Sequence, residues 1–331
     1  MTEKKNTKKL PGWARPLLVA LGGVGIVSLM ALALLWPTLS ASPKDVPVAI
    51  IGNSQTASVI KQNLESKSDG TFDIRLVDTK ETAVRQLQSR EIYGAIDLNP
   101  TAPEILTASA NGQAVGSLMT GLATGLQTQL AATVPAGVQA PKVTVTDVVP
   151  LHKSTFDISA LALPMVFGSM IGAILSIVFL HSRAHRLVAL ALYAMFVGTA
   201  MYLILHAWLD VLPSGFLPVA GSIALVVFAT TTFISGLYSL IGYAGFGLGA
   251  IFTFLVANPI SGLALPSLFL PGAWGAIGQW LTLGAGSTLL REAMYFPKAS
   301  VTVPILILAG WAILGVACIS LKPRDGIRGR A

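Results

Sequence analysis

Six stretches of the chain, residues 16–36, 158–180, 187–209, 219–242, 246–265 and 300–321, run for 20–24 residues each without one Asp, Glu, Lys or Arg. Crossing a hydrocarbon core of ~30 Å takes about 20 apolar residues in a helix. In that solvent every backbone N–H and C=O must find its partner inside the protein, which a helix achieves by itself. Charged residues make up 11% of the 331 and hydrophobic residues 53%, against about 25% and about 45–50% in soluble proteins. A soluble globule and a disordered chain are therefore excluded. The single Cys318 sits inside the last apolar run, so an intramolecular disulfide framework is excluded too. The fold class predicted is a polytopic α-helical membrane protein of six transmembrane helices with an inserted extracytoplasmic α/β domain.

Orientation follows from the basic residues. Lys4, Lys5, Lys8, Lys9 and Arg15 precede the first run, Arg183 and Arg186 lie between the second and third, and Lys322, Arg324, Arg328 and Arg330 follow the last. Six spans put all three groups on one side, and the positive-inside rule makes it cytoplasmic. The expected order is a basic tail 1–15, a transmembrane helix 16–36, an extracytoplasmic domain 37–157, a membrane domain 158–321 with five helices, and a basic tail 322–331. The first run is longer than the 7–15 apolar residues of a signal peptide and predicts an uncleaved anchor in the plasma (inner) membrane. The net charge of +7 is then a topology signal. Segment 37–157 carries more acids than bases, so no nucleic-acid partner is expected.

Segment 37–157 reads as β-α-β-α-β-β-α-β. Strands are predicted at 46–51, 72–77, 92–97, 104–108 and 143–149, and helices at 57–64, from the cap Thr79, and at 116–132. Helices covering a mixed sheet are the architecture implied. No phosphate loop, no His-Glu-x-x-His and no Cys pair occurs, so neither catalysis nor a cofactor or metal is expected.

In the membrane half, Gly168 and Gly172 form a small-x-x-x-small face, and Gly245 and Gly249 open the fifth run; both are candidate helix-packing sites. His206 precedes Asp210 by four residues, one helical turn, which fits either a proton-sensing pair or an interfacial histidine. Asn258-Pro259 predicts a kink in the fifth span with an exposed carbonyl. Residues 266–299 are too broken for a span and too apolar for a soluble loop, and predict a re-entrant or interfacial outer segment. In it Trp274, Trp280 and Arg291, with Asn258 and His206, are the candidate substrate or lipid contacts. Arg291 is placed at the outer headgroups, either gripping an anionic lipid or snorkelling.

Pro47–Ile51, Asp78 leading into a helix, Glu91-Ile92-Tyr93-Gly94-Ala95-Ile96, Asp147–Leu151 and Gly284-Ala285-Gly286 through Leu290-Arg291, Tyr295-Phe296 and Trp311 stand in an order that resembles a bacterial family. That family comprises the phage-infection-protein-like membrane proteins and their actinobacterial relatives, described as permeases of the ABC exporter type. Lys153–Asp157 and Leu281–Leu283 depart from its usual pattern. The resemblance implies a permease-like subunit of envelope transport or export, handling a lipid or other amphipathic molecule. It implies partners as well: a second copy, a separate ATPase, or an envelope transporter. The alternative expectation is a non-transporting scaffold or receptor whose outer domain recruits envelope proteins.

Overall fold

The computed structural model describes residues 14–321 except 53–60, 63, 65–69, 134, 136–138, 154–155 and 213–214. In chain order the regular elements are α1 (Ala14–Leu39), β1 (Val46–Ile51), β2 (Phe72–Val77), α2 (Lys80–Gln88), β3 (Gly94–Asp97), β4 (Glu104–Thr107), α3 (Gln113–Thr133), β5 (Thr144–Asp147), α4 (Ala162–Phe179), α5 (Arg183–Leu203), α6 (Phe216–Ile241), α7 (Tyr243–Ile251), α8 (Trp274–Gln279), α9 (Thr282–Tyr295) and α10 (Thr302–Ser320). The helix expected at 57–64 falls mostly outside the described residues.

Four helices among the described residues are long and apolar enough to cross a membrane: Ile158–Phe179, Arg183–Trp208, Phe216–Ile241 and Thr302–Ser320. The protein is accordingly a membrane protein with a small α/β part. Within the bundle α6 is the axis, with 61% of its most apolar window buried against 22% for the third-run helix and 28% for α10. Small residues allow this. A Cβ on Gly315 would run into the Thr232 backbone, and one on Gly236 would meet the Gly315 carbonyl at 3.0 Å. Backbones that close gain dispersion contacts, which lipid tails cannot replace. Thr230 and Thr232 donate their hydroxyls to Val226 O and Phe228 O, four residues back, so these two hydroxyls are satisfied within α6 itself.

The remaining two apolar runs behave differently. The first lies within α1, a helix of 26 residues, whose Val27, Leu29 and Leu32 stay exposed. Its Trp36 meets Trp274 edge-on at 6.2 Å. The run 246–265 makes no continuous 20-residue helix. After α7 the chain winds as a π-helix over Phe252–Ala257, and the helical stretch Tyr243–Ala257, about 22 Å long at 1.5 Å per residue, ends there. Proline 259 removes the N–H that would have continued the ladder, and the sequence kink is realised as a stop.

The α/β part is a five-stranded sheet in the order β2-β1-β3-β4-β5, parallel except for the antiparallel β3–β4 pair. Alternation along the strands divides its side chains between two cores. Ala49, Ala95 and Leu106 face α2, and that core runs on through Phe156 and Leu161 into Leu290 and Phe296 of the bundle. Val48, Ile50, Ile96 and Ile105 face α3, with Val115, Met119 and Phe269. Gly94 leaves room here for the Met119 sulfur, which would have to move if a Cβ were added. Thr79 caps α2 as its sequence predicts, its hydroxyl accepting from Thr82 N at 3.2 Å. The chain between α1 and β1 is bonded to the membrane half: Ser42 N donates to Phe269 O at 3.0 Å and Lys44 N to Leu268 O at 3.2 Å.

Candidate functional site

Beyond Ala257 the chain runs without regular structure through residues that are largely buried, including Ile260, Ser261 and Leu263. Irregular backbone in a membrane protein must be buried in protein or line a water-filled cavity, and its freed carbonyls must be bonded. Two polar side chains converge on Ser261 O: Ser287 Oγ at 2.6 Å and Gln279 Nε2 at 3.1 Å. Thr288 Oγ1 holds the Gln279 amide oxygen at 2.6 Å. The helices that carry these donors approach closely because they lack side chains at the contact. A Cβ on Gly275 would strike the Ser267 carbonyl, and one on Gly278 the Ile260 carbonyl. The Trp280 carbonyl accepts from the Trp311 indole at 2.8 Å. Trp311 lies midway along α10, so α8 descends to the middle of the bundle and α9 climbs back.

Leu283, Ser287 and Arg291 share one face of α9, four residues apart. Arg291 is only 3% exposed. It therefore neither snorkels nor sits among headgroups: α9 lies inside the protein, covered by the sheet domain, instead of along its outer rim. Its Nη1 and Nη2 point at one acceptor, Gly262 O, at 3.5 and 3.4 Å, beyond the usual 2.7–3.2 Å of a good N–H···O bond. A guanidinium has five donors, and this one is underused. Burial, then repulsion from Arg90, pulls its pKa down to about 10, with Asp157 opposing; it stays charged at neutral pH.

Arg291 opens onto a cavity of about 560 Å³ whose other walls include Gly112–Ala114, Asp157, Ser159 and Leu263–Pro266. The cavity lies at the junction between the sheet domain and the bundle. Gly112–Ala114 is the start of α3, a helix of 21 residues, where the positive end of the helix dipole and orphan N–H groups collect. The first backbone bonds of its opening turn are from Val115 N and Gly116 N, both to Gly112 O. Asp157 spends one oxygen on Ser159 N at 2.8 Å.

Above Arg291 lies a buried ionic layer that ties the sheet domain to α9. Arg90, at a left-handed φ of 63°, donates from Nε to Asn111 Oδ1 at 2.9 Å and from Nη1 to Glu292 Oε1 at 3.3 Å, and lies 5.9 Å over the Phe296 ring. Both charged side chains are 9% exposed. Glu292 Oε2 and the Tyr295 hydroxyl are buried with no hydrogen-bond partner among the described residues. Burial pushes the Glu292 carboxyl up, and Arg90 draws it part of the way back.

The other residues singled out from the sequence are scattered. Asn258 closes the π-turn, its N–H bonded to Thr253 O at 3.0 Å and its carbonyl to Ser261 Oγ at 2.7 Å. Trp280 falls in the break between α8 and α9, so it does not share the α9 face, and like Trp274 it is exposed. His206 and Asp210 do not pair. The chain is π-wound over Ile204–Trp208, which destroys the one-turn spacing; His206 stacks on Tyr202 at 5.1 Å, and Asp210 binds Lys153 at 3.3 Å. Gly172 gives way to the Tyr193 ring, whose hydroxyl donates to Gly168 O at 2.6 Å, and Gly245 and Gly249 let α7 lie against Leu237 and Ile234 of α6. Ser261, Gly262, Gln279 and Gln113 belong to the site although the sequence does not single them out. Their signal was weak: a lone Gln between two Trp-bearing turns, and a Ser-Gly just beyond Asn258-Pro259. Among the described residues no cluster of His, Cys, Asp or Glu could hold a metal ion. No protein-family model, no curated protein and no solved structure matches the chain.

Proposed function

We propose that the chain is a permease-like subunit of a cell-envelope transport or export system, and that it takes a lipid or other amphipathic molecule by its anionic end in the Arg291 cavity. In this reading the chain crosses the plasma membrane six times, both termini are cytoplasmic, and residues 37–157 lie outside. An ATPase, where one drives the system, is a separate chain, because this sequence has no phosphate loop. The observation that carries the reading is the buried, under-bonded guanidinium of Arg291 on a cavity that the start of α3 also lines. A phosphate or carboxylate there would gain charge-assisted bonds from a planar fork, which a lysine cannot duplicate.

The test is purification in mild detergent with analysis of retained lipids. The wild type is expected to retain an anionic lipid, Arg291→Ala to lose it at unchanged abundance in the membrane, and Arg291→Lys to restore it in part. Equal retention by all three removes the anion site and leaves the scaffold reading. Topology has its own check in a Cys318→Ala background: a cysteine at the exposed Thr101 should label from outside intact cells and one at Ser182 should not.

A further inference from the structure

The sheet domain holds a second opening, of about 660 Å³, bordered by Phe72, Ile96, Ile105, Leu118, Leu122 and Leu126, with Gly121 and Gly125 along its rim. Ile96 and Ile105 are register partners in the β3–β4 pair and form its floor. Leu118, Leu122 and Leu126 recur at one-turn spacing on α3 and form its wall. Pro43 stands at the edge, in the chain that is bonded on both sides, through Ser42 and Lys44, to Phe269 and Leu268 of the membrane half. The groove is thus mostly apolar, and one edge of it adjoins the membrane half. Cavities of this size, mostly apolar with a few convergent polar groups, are the usual form of a small-molecule site.

Its relation to the Arg291 cavity decides what it would take. Ala114 lines the Arg291 cavity, and Leu118, Gly121 and Gly125 line the groove. These positions, spaced by four, three and four, lie on one face of α3. From Ala114 to Gln129, which closes the groove, that face is about 22 Å long at 1.5 Å per residue. Arg291, with Asp157 beside it, thus stands at one end of this helix face and the apolar groove at the other. Resting on the anion-site reading above, we infer that the α3 track holds the acyl chain of a single-chain anionic amphiphile whose charged end sits at Arg291, so that the sheet domain draws the tail out of the bilayer. The occupant follows from the under-bonded guanidinium at one end, the apolar walls at the other, and the bonding of the chain around Pro43 to the membrane half.

The experiment uses the full chain in nanodiscs, with palmitate as the anionic probe and its alcohol, hexadecanol, as the uncharged one. The variants that fill the groove are Gly121→Leu and Gly125→Phe, positions where an added Cβ meets nothing within 4 Å and where leaving glycine favours the helix. The expected result is at least a tenfold loss of binding for both probes in Gly121→Leu/Gly125→Phe. Arg291→Ala should cut palmitate by a similar factor and leave hexadecanol almost unchanged. Palmitate binding unaltered by the filled groove overturns the inference, even if Arg291→Ala abolishes it, since the head site then works without the track. A filled groove that blocks both probes while Arg291→Ala changes neither upholds the track and overturns the anion site alone. A thermal midpoint of Gly121→Leu/Gly125→Phe at or above that of the wild type shows that lost binding is not lost folding.

Discussion

Two apolar runs end in a π-wound turn, and they end differently. At the end of α5, over Ile204–Trp208, the side chains of His206, Trp208 and Leu209 are exposed, and the segment beyond is fastened to the chain leaving the sheet domain by Lys153–Asp210, an ion pair in the open. At the end of α7, over Phe252–Ala257, the chain beyond is buried, its carbonyls are collected by Ser287, Gln279 and Arg291, and the fastening to the sheet domain is Arg90–Glu292, an ion pair 9% exposed on both sides. The backbone event is the same. Burying it costs desolvation of two guanidiniums and a carboxylate, which water would have carried at no expense. A fold that needed only to stop a helix has the cheaper solution in its own α5, so the buried one marks the site.

The largest way to break this contrast is to remove half of the buried pair. Arg90→Met leaves Glu292 facing the apolar junction, and breaking a buried pair from one side costs about 3–5 kcal/mol. Unfolding in detergent should register that loss, and the double variant Arg90→Met/Glu292→Leu should recover most of it. The pH dependence has a defined sign. Burial raises the folded-state pKa of Glu292, so the folded protein takes up that proton at higher pH than the unfolded chain. The deficit of Arg90→Met should therefore shrink as the pH falls through the raised carboxyl value. A deficit that grows on acidification would mean the carboxylate has another cation.

Close packing comes next. Gly278→Ala puts a methyl group against the Ile260 carbonyl, backbone against backbone, and overpacking of this kind costs roughly 1–3 kcal/mol. Gly310→Ala, where a Cβ meets nothing, is the control and should be neutral. If both are neutral, the irregular segment yields freely and is not the rigid floor of a site. Ser287→Ala should cost less, about 1 kcal/mol, because Gln279 remains on the same carbonyl at 3.1 Å. Adding Gln279→Ala should cost more than the two singles together, since Ser261 O then loses both of these donors.

How much of this could be read from the sequence depends on the range over which each feature is specified. The strands 46–51 and 72–77 and the cap at Thr79 are local: alternation and a hydroxyl three residues from its amide define them. The apolar runs are local as well, and four of them are helices long enough to cross a membrane. The failures are all matters of tertiary environment. Asn258-Pro259 announces a break but not whether the chain resumes. His206 and Asp210 have a helical spacing that counts only if the helix stays α, and Lys153, 57 residues away from Asp210, competes for the carboxylate. Arg291 reads as a surface arginine because it stands among Trp and Gly. Its burial depends on the sheet domain lying over α9, through an arginine 201 residues earlier in the chain.

The smallest expected effect tests the exposed half of the contrast. Asp210 is 70% exposed in its side chain and Lys153 43%, and such pairs contribute about 0.2–1 kcal/mol at most, less as salt screens them. Asp210→Asn should therefore shift unfolding by no more than about 0.5 kcal/mol at moderate salt. Asp210→Gly separates charge from backbone. Asp210 holds a left-handed φ of 50°, which glycine adopts without strain but at a higher cost in unfolded-state entropy, so the two terms should nearly cancel. Neither substitution should alter lipid retention, because neither Asp210 nor Lys153 lines the Arg291 cavity. A loss of more than about 2 kcal/mol for Asp210→Asn would place it in the range of a buried pair. The α5 turn would then have to be a second buried junction, and the difference between the two helix ends would no longer single out Arg291.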